Sequence, residues 1–223
     1  MKASTEDGDI WNTLPAPASW TTIQARLGER APRAYRRIGD YYWFEIIPDT
    51  KTLYFQYNHV INDPHGPTLE QFARTLEEFI NAHDVDRVIV DLRWNNGGNT
   101  FLNEPLLHVF IRNAKVNPPG HMAVIIGRRT FSAAMNASSY LERHLSPIFI
   151  GEPTGGKPNA PGDEVFATLP YSGIAYNVSD VLWQGGWPYD ARPWIAPQIA
   201  TPPRFEDLAA GRDPALDAAL AIH

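Results

Sequence analysis

Two residues of this chain have the types and spacing to do chemistry together. Ser132 stands in Gly127-Arg-Arg-Thr-Phe-Ser-Ala-Ala134, and Lys157 follows 25 residues later in Gly151-Glu-Pro-Thr-Gly-Gly-Lys-Pro158. Each segment comes directly after a short apolar run that reads as a buried strand. A serine hydroxyl becomes a nucleophile only when a neighbour takes its proton. A lysine can take it only as the neutral amine, which requires its pKa to fall from about 10.4 toward 7–8 by burial. The pair therefore reads as nucleophile and general base, with Gly155 and Gly156 letting the backbone turn tightly and carry the amine inward. Each residue also has a plain reading. Serine is a favoured helix N-cap, and a lysine in a glycine-rich loop is commonly exposed.

A third segment adds to the pair. Asp91-Leu-Arg-Trp-Asn-Asn-Gly-Gly98 runs from the end of an apolar strand into two glycines. Free N–H groups in such a turn can line up on a developing oxyanion, although the same turn can be purely structural. It lacks the lysine-serine ending of a phosphate loop and the three glycines of a dinucleotide fingerprint.

The elements that must position these residues are legible from periodicity. Tyr41–Ile47 and Thr52–Tyr57 are dense in aromatic and β-branched residues and flank Pro48-Asp-Thr-Lys51, which predicts a hairpin. Between Thr68 and Ala82, the residues Leu69, Phe72, Ala73, Leu76, Phe79 and Ile80 form one apolar stripe, and Thr68 with Gln71 makes a capping-box pattern. Arg87–Leu92 is apolar on both faces, as expected of a central parallel strand. Helix over 104–113, strand over 121–126, helix over 133–145 and strand over 147–150 follow. This alternation predicts crossover units and a mostly parallel sheet flanked by helices. A short helix is expected near Thr21–Leu27. A small hairpin is expected from Ala167–Leu169 and Ile174–Val178 in the proline-rich region, and a last helix over 214–221 is capped by Asp213.

The 223 residues carry a net charge of −6, with 43% apolar residues and no cysteine. That is enough apolar surface for a packed core. The acidic balance argues against nucleic acid as a main partner, and Arg33, Arg36 and Arg37 read as solvated surface. Disulfides and thiolate metal sites are excluded. No apolar run is long enough to span a membrane, the N-terminus lacks the apolar stretch of a signal peptide, and localisation stays open. Residues 1–40 read as a loop-rich lead-in, the end of an upstream segment, and 41–223 as the functional domain. The histidines show no metal-ligand spacing. His59, near Asn62 and Asp63, is the alternative general base.

Taken together, Asp91–Gly98, the Thr130-Phe-Ser-Ala133 turn and Gly151–Lys157 resemble the tail-specific proteases, also called C-terminal processing peptidases. Their nucleophilic serine and general-base lysine have the separation seen between Ser132 and Lys157, and Asp213-Pro-Ala-Leu-Asp-Ala-Ala-Leu220 is similar to their closing segment. The resemblance covers residues 40–220. It implies an α/β fold of the ClpP/crotonase-like type, a spiral of β-β-α units. It also implies a serine-type peptidase acting on polypeptides through an acyl-enzyme, with no cofactor. In that reading Gly97 or Gly98, together with Ala133, forms the oxyanion hole. The chain departs from the pattern in two places: Met135 and Asn136 stand where such proteases usually carry a glutamate, and Pro158-Asn-Ala160 where they often have a glutamine. The same scaffold could instead serve as a non-catalytic ligand- or peptide-binding module. Oligomeric state is not legible.

Overall fold

A computed structural model describes residues 19–222. Its centre is a six-stranded sheet. β1 (Tyr42–Ile46) and β2 (Thr52–Tyr57) form the antiparallel hairpin expected around Pro48–Lys51, with Asp49 in the left-handed region at φ 60°. From β2 onward the sheet is parallel, through β3 (Arg87–Asp91), β4 (Met122–Ile126), β5 (Ile148–Gly151) and β8 (Ile199–Ala200), in the order β1-β2-β3-β4-β5-β8.

Side-chain alternation along these strands feeds two cores. Leu53, Phe55, Val88, Val90, Val124 and Ile126 point to the face covered by α3 (Leu69–Ala82), α4 (Glu104–Arg112) and α5 (Ala133–His144). Tyr54, Ile89, Ala123, Ile125 and Ile150 point to the other face, where α7 (Pro214–Leu220) packs with Ala215, Leu216 and Ala219. Covering on both faces explains why β3 reads as a continuous apolar run. Helix α3 starts as its sequence predicts. Thr68 Oγ1 accepts from Gln71 N–H at 3.2 Å, and Gln71 Oε1 accepts from Thr68 N–H at 2.9 Å.

The first forty residues are described only from residue 19, so Trp11, Leu14, Pro15 and Pro17 lie outside the described residues. The helix expected near Thr21–Leu27 is present as α1 (Ile23–Leu27), followed by α2 (Arg33–Arg36). This segment is anchored on the sheet. Gln56 Nε2 donates to Ala34 O at 2.9 Å and Asn58 Nδ2 to Asp40 O at 2.8 Å. The arginine cluster is taken up locally: Arg33 pairs with Glu45, Arg36 donates to Ala31 O, and Arg37 pairs with Asp40 and lies over the Trp43 ring.

The largest difference from expectation lies after Lys157. The hairpin there is not confined to 167–169 and 174–178. It is a ribbon of two ten-residue strands, β6 (Asn159–Thr168) and β7 (Ala175–Gln184). Pro161 sits within β6 because a two-stranded ribbon has only edges, where a missing N–H costs no ladder bond. The short α2, α6 (Phe205–Ala209) and β8 were not anticipated, because each follows closely on a proline and carries neither an apolar stripe nor an apolar run.

Candidate active site

Ser132 occupies a sharp turn between β4 and α5. Its backbone is at φ 52°, ψ −125°, a left-handed conformation strained for a non-glycine residue. It stands at the N-cap of α5, but its side chain makes no capping hydrogen bond. The plain reading of a helix cap is therefore not what holds it. The turn is set from behind. Fully buried Thr130 donates through Oγ1 to Leu92 O at 2.9 Å and accepts from Gly127 N–H at 3.0 Å. Phe131 N–H donates to Asn95 O at 3.1 Å.

The glycine turn is built around Asn95, which is fully buried. Its Nδ2 donates to Tyr57 O at 2.9 Å, and its Oδ1 accepts from Gly97 N–H at 2.9 Å. Val60 N–H donates to Gly97 O, and Asn99 N–H to Val60 O. Gly97 and Gly98 take φ of 115° and 138°, and a β-carbon on Gly98 would lie 2.3 Å from Val60 O. Only glycine fits. The Gly97 N–H is thus already committed. Among the described residues, neither Gly98 N–H nor Ala133 N–H donates to a backbone carbonyl.

The lysine loop hangs from the serine loop. Gly155 N–H donates to Thr130 O at 3.0 Å, and a β-carbon on Gly155 would lie 2.2 Å from Arg128 O. Buried Thr154 exchanges hydrogen bonds with the Ile195 backbone and donates to Gly156 O. Ser132 and Lys157 then line one cavity of about 620 Å³, together with Gly98, Phe101, Phe166 and Trp183. The expected burial of Lys157 is not observed. Its side chain is exposed, because the cavity opens to solvent and Pro158 rather than Lys157 is packed inward. Among the described residues no hydrogen bond joins Ser132 Oγ to Lys157 Nζ.

The remaining candidates sort by position. His59 is half-buried, with its ring centroid 5.0 Å from that of Tyr41, and it does not line the Ser132 cavity. Asn136 is buried, and its Nδ2 donates to Thr100 Oγ1 at 2.8 Å on the cavity wall. Trp183 contributes to that wall, edge-on to Phe101 with centroids 5.8 Å apart.

Several supporting residues had not been singled out. Asn95 was read only as part of a glycine turn. Asn103, also buried, accepts from Tyr57 Oη and donates to Ala133 O at 3.0 Å, so it holds the first turn of α5. Asn95 lies in the loop after β3 and Asn103 closes a helical turn before α4, and a buried amide in either place must find partners. A third set ties the closing segment to the glycine loop. Arg93 bridges Asp91 and Asp213, with Nη1 2.9 Å from Asp213 Oδ1, and Tyr54 Oη donates to Asp91 Oδ2 at 2.6 Å. Burial alone would pull the Arg93 guanidinium down, but the charges of Asp91 and Asp213 outweigh it and hold it well above its ordinary value.

No protein-family model matches this sequence, nor does any curated protein. Solved structures do match. A candidate peptidase from Parabacteroides merdae superposes with a TM-score of 0.60 at 18% identity, over 82% of this chain and 66% of its own. A candidate S41 protease from Bacteroides fragilis gives 0.57 at 18%, over 80% and 56%. A photosystem II D1 C-terminal processing protease gives 0.51 at 16%, over 79% and 54%. The chain therefore spans between about half and two thirds of the length of these proteins and shares their fold.

Proposed function

We propose that this chain is a serine peptidase of the tail-specific protease type, built on a ClpP/crotonase-like spiral, with residues 41–223 as the catalytic unit. The observation that carries the reading is the strained Ser132 elbow. It leaves Oγ without a capping bond on the wall of the cavity that Lys157 also lines. The likeness of fold to S41-type proteases supports the same reading.

In this mechanism Lys157, as the neutral amine, takes the Ser132 proton while Oγ attacks the peptide carbonyl carbon. The exposed amine becomes desolvated when a polypeptide lies across the cavity and displaces its water. The tetrahedral oxyanion is held by Gly98 N–H and Ala133 N–H. Gly97, whose N–H is held by Asn95, shapes the hole rather than donating to it. Each such donor contributes about 3–4 kcal/mol to transition-state stabilisation in comparable sites. Protonated Lys157 then gives its proton to the leaving amine, and water cleaves the acyl-enzyme.

The test is labelling with a fluorophosphonate alongside hydrolysis of an unstructured polypeptide. Labelling at Ser132, with turnover lost in Ser132→Ala, is the expected result. Wild-type turnover in both Ser132→Ala and Lys157→Ala would overturn the dyad, and an unlabelled Ser132 with no turnover by the wild-type chain would leave only a binding scaffold.

A further inference from the structure

A second cavity, of about 150 Å³, lies at the carboxyl ends of β3, β4, β5 and β8, behind the loops described above. Ligands of open parallel sheets bind outside the carboxyl ends of the strands. Its position relative to the first cavity is specific. The three loops that reach the Ser132 cavity all begin here. Arg93 and Trp94 line this cavity and Gly98 the other. Gly127 lines this one and Ser132 the other, and so it is with Glu152 and Lys157.

The chemistry of the wall is cationic in a protein of net charge −6. Five arginines and three carboxylates line it. Arg93 is neutralised by Asp91 and Asp213, Arg128 pairs with Glu152 at 2.8 Å, and Arg212 pairs with Asp207 at 2.7 Å. Arg204 has no acidic partner among the described residues. The same wall holds unmet polar groups. Trp94 Nε1, Thr201 Oγ1 and Asp213 Oδ2 are buried and have no hydrogen-bond partner, and Asp213 as a whole is only 9% exposed. Buried polar atoms are almost always satisfied. Three unmet atoms on the lining residues of one small cavity indicate a polar occupant.

We infer that this cavity is a binding site for a small oxyanion that also carries a hydroxyl, such as hydrogen phosphate or a short hydroxycarboxylate. The oxygens suit Arg204 and the indole N–H of Trp94, through charge-assisted and neutral bonds. The hydroxyl supplies the donor that Asp213 Oδ2 lacks, which a simple carboxylate does not. The volume matches such a molecule with a few waters, at about 30 Å³ of liquid per water. Its occupancy links the starting residues of all three loops without touching Ser132.

The experiment is calorimetric titration of the full chain with inorganic phosphate and, separately, glycolate, with acetate and with chloride at matched ionic strength as controls. Deuterium exchange of the same samples locates the site. The expected result is saturable binding of phosphate or glycolate but not of chloride, with acetate weaker than glycolate. Whichever of the two binds more tightly identifies the source. Arg204→Gln, an exposed position with no partner to lose, should bind about tenfold more weakly, equivalent to about 1.4 kcal/mol. Amides at 93–94 and 127–129 should exchange more slowly when the ligand is bound. No saturable binding at millimolar concentration would overturn the inference. So would wild-type affinity in Arg204→Gln, or protection confined to other segments. None of these readouts depends on peptide hydrolysis.

Discussion

A β-carbon added to Gly97 would lie 2.6 Å from Ser132 Cβ and 3.0 Å from both Ser132 Oγ and Ala133 N. The glycine turn and the serine elbow are thus packed against each other with no room for a side chain between them. Gly97→Ala must also strain a backbone at φ 115°. Peptide turnover should fall by about a hundredfold or more, as a misplaced site of this kind loses. The thermal midpoint should drop by only a few degrees. Steady-state kinetics beside a melting curve checks this, and unchanged turnover would argue that the turn does not shape the reacting geometry.

Lys157→Arg separates proton transfer from charge. Arginine keeps the cation but does not deprotonate in proteins. Turnover should fall by roughly 10²–10⁴, the usual contribution of a general base, with the folded state unaffected because the side chain is exposed. His59→Ala is the companion measurement. If it, and not Lys157→Arg, removes activity, the base is the histidine.

Asn95→Ala should be destabilising out of proportion to its size. It leaves Tyr57 O and Gly97 N–H without their partner in a fully buried place. Unsatisfied groups of this kind cost about 1–3 kcal/mol each. Urea unfolding should show a lower midpoint at unchanged slope. A loss below about 0.5 kcal/mol would mean that water replaces the amide.

Arg93→Ala should be among the most harmful single changes. It strands two buried carboxylates, Asp91 and Asp213, whose side chains are 0% and 7% exposed. Breaking a buried pair from one side costs about 3–5 kcal/mol. Stability at neutral pH reads it out, and a variant as stable as wild type would remove the network from the account of how the loops are held.

Alkaline stability should depend on Tyr54. Burial, and then the neighbouring Asp91 charge, push its phenol well above the usual value of 10. A group raised in the folded state contributes fully below its unfolded pKa and loses that contribution as pH rises past it. Stability should therefore fall as pH climbs above about 10. The decline should be shallower in Tyr54→Phe, although that variant starts lower for want of its bond to Asp91. Denaturant titrations on either side of pH 10 would show it. Equal slopes would mean that Tyr54 ionises in the fold as readily as outside it.

How much of this was legible in advance follows from the range of the forces involved. Helix α3 was readable because its stripe and its Thr68–Gln71 cap are local, and β3 because burial on both faces leaves an unbroken apolar run. The ribbon of β6 and β7 was not, since Pro161 masks the strand and the pairing of Asn159 with Gln184 depends on distant residues. The placing of Ser132 and Lys157 on one cavity could be read from spacing and resemblance. The exposure of Lys157 could not, because burial at a loop end depends on what closes over it. The roles of Asn95 and Asn103 were hidden for a related reason: an amide's partners lie across the sheet, and nothing in its immediate neighbours names them.

The bond between Arg93 and Asp213 spans 120 positions. Synthesis proceeds from the N-terminus, so the segment that carries Gly97 and Gly98 emerges from the ribosome long before Asp213, the second of the two carboxylates that compensate Arg93. The complete Arg93 network is therefore a late product of folding, closed only once Asp213 has been translated. A nascent chain halted before that residue should be readily nicked by proteases between Arg93 and Gly98, and one extended past it should resist them.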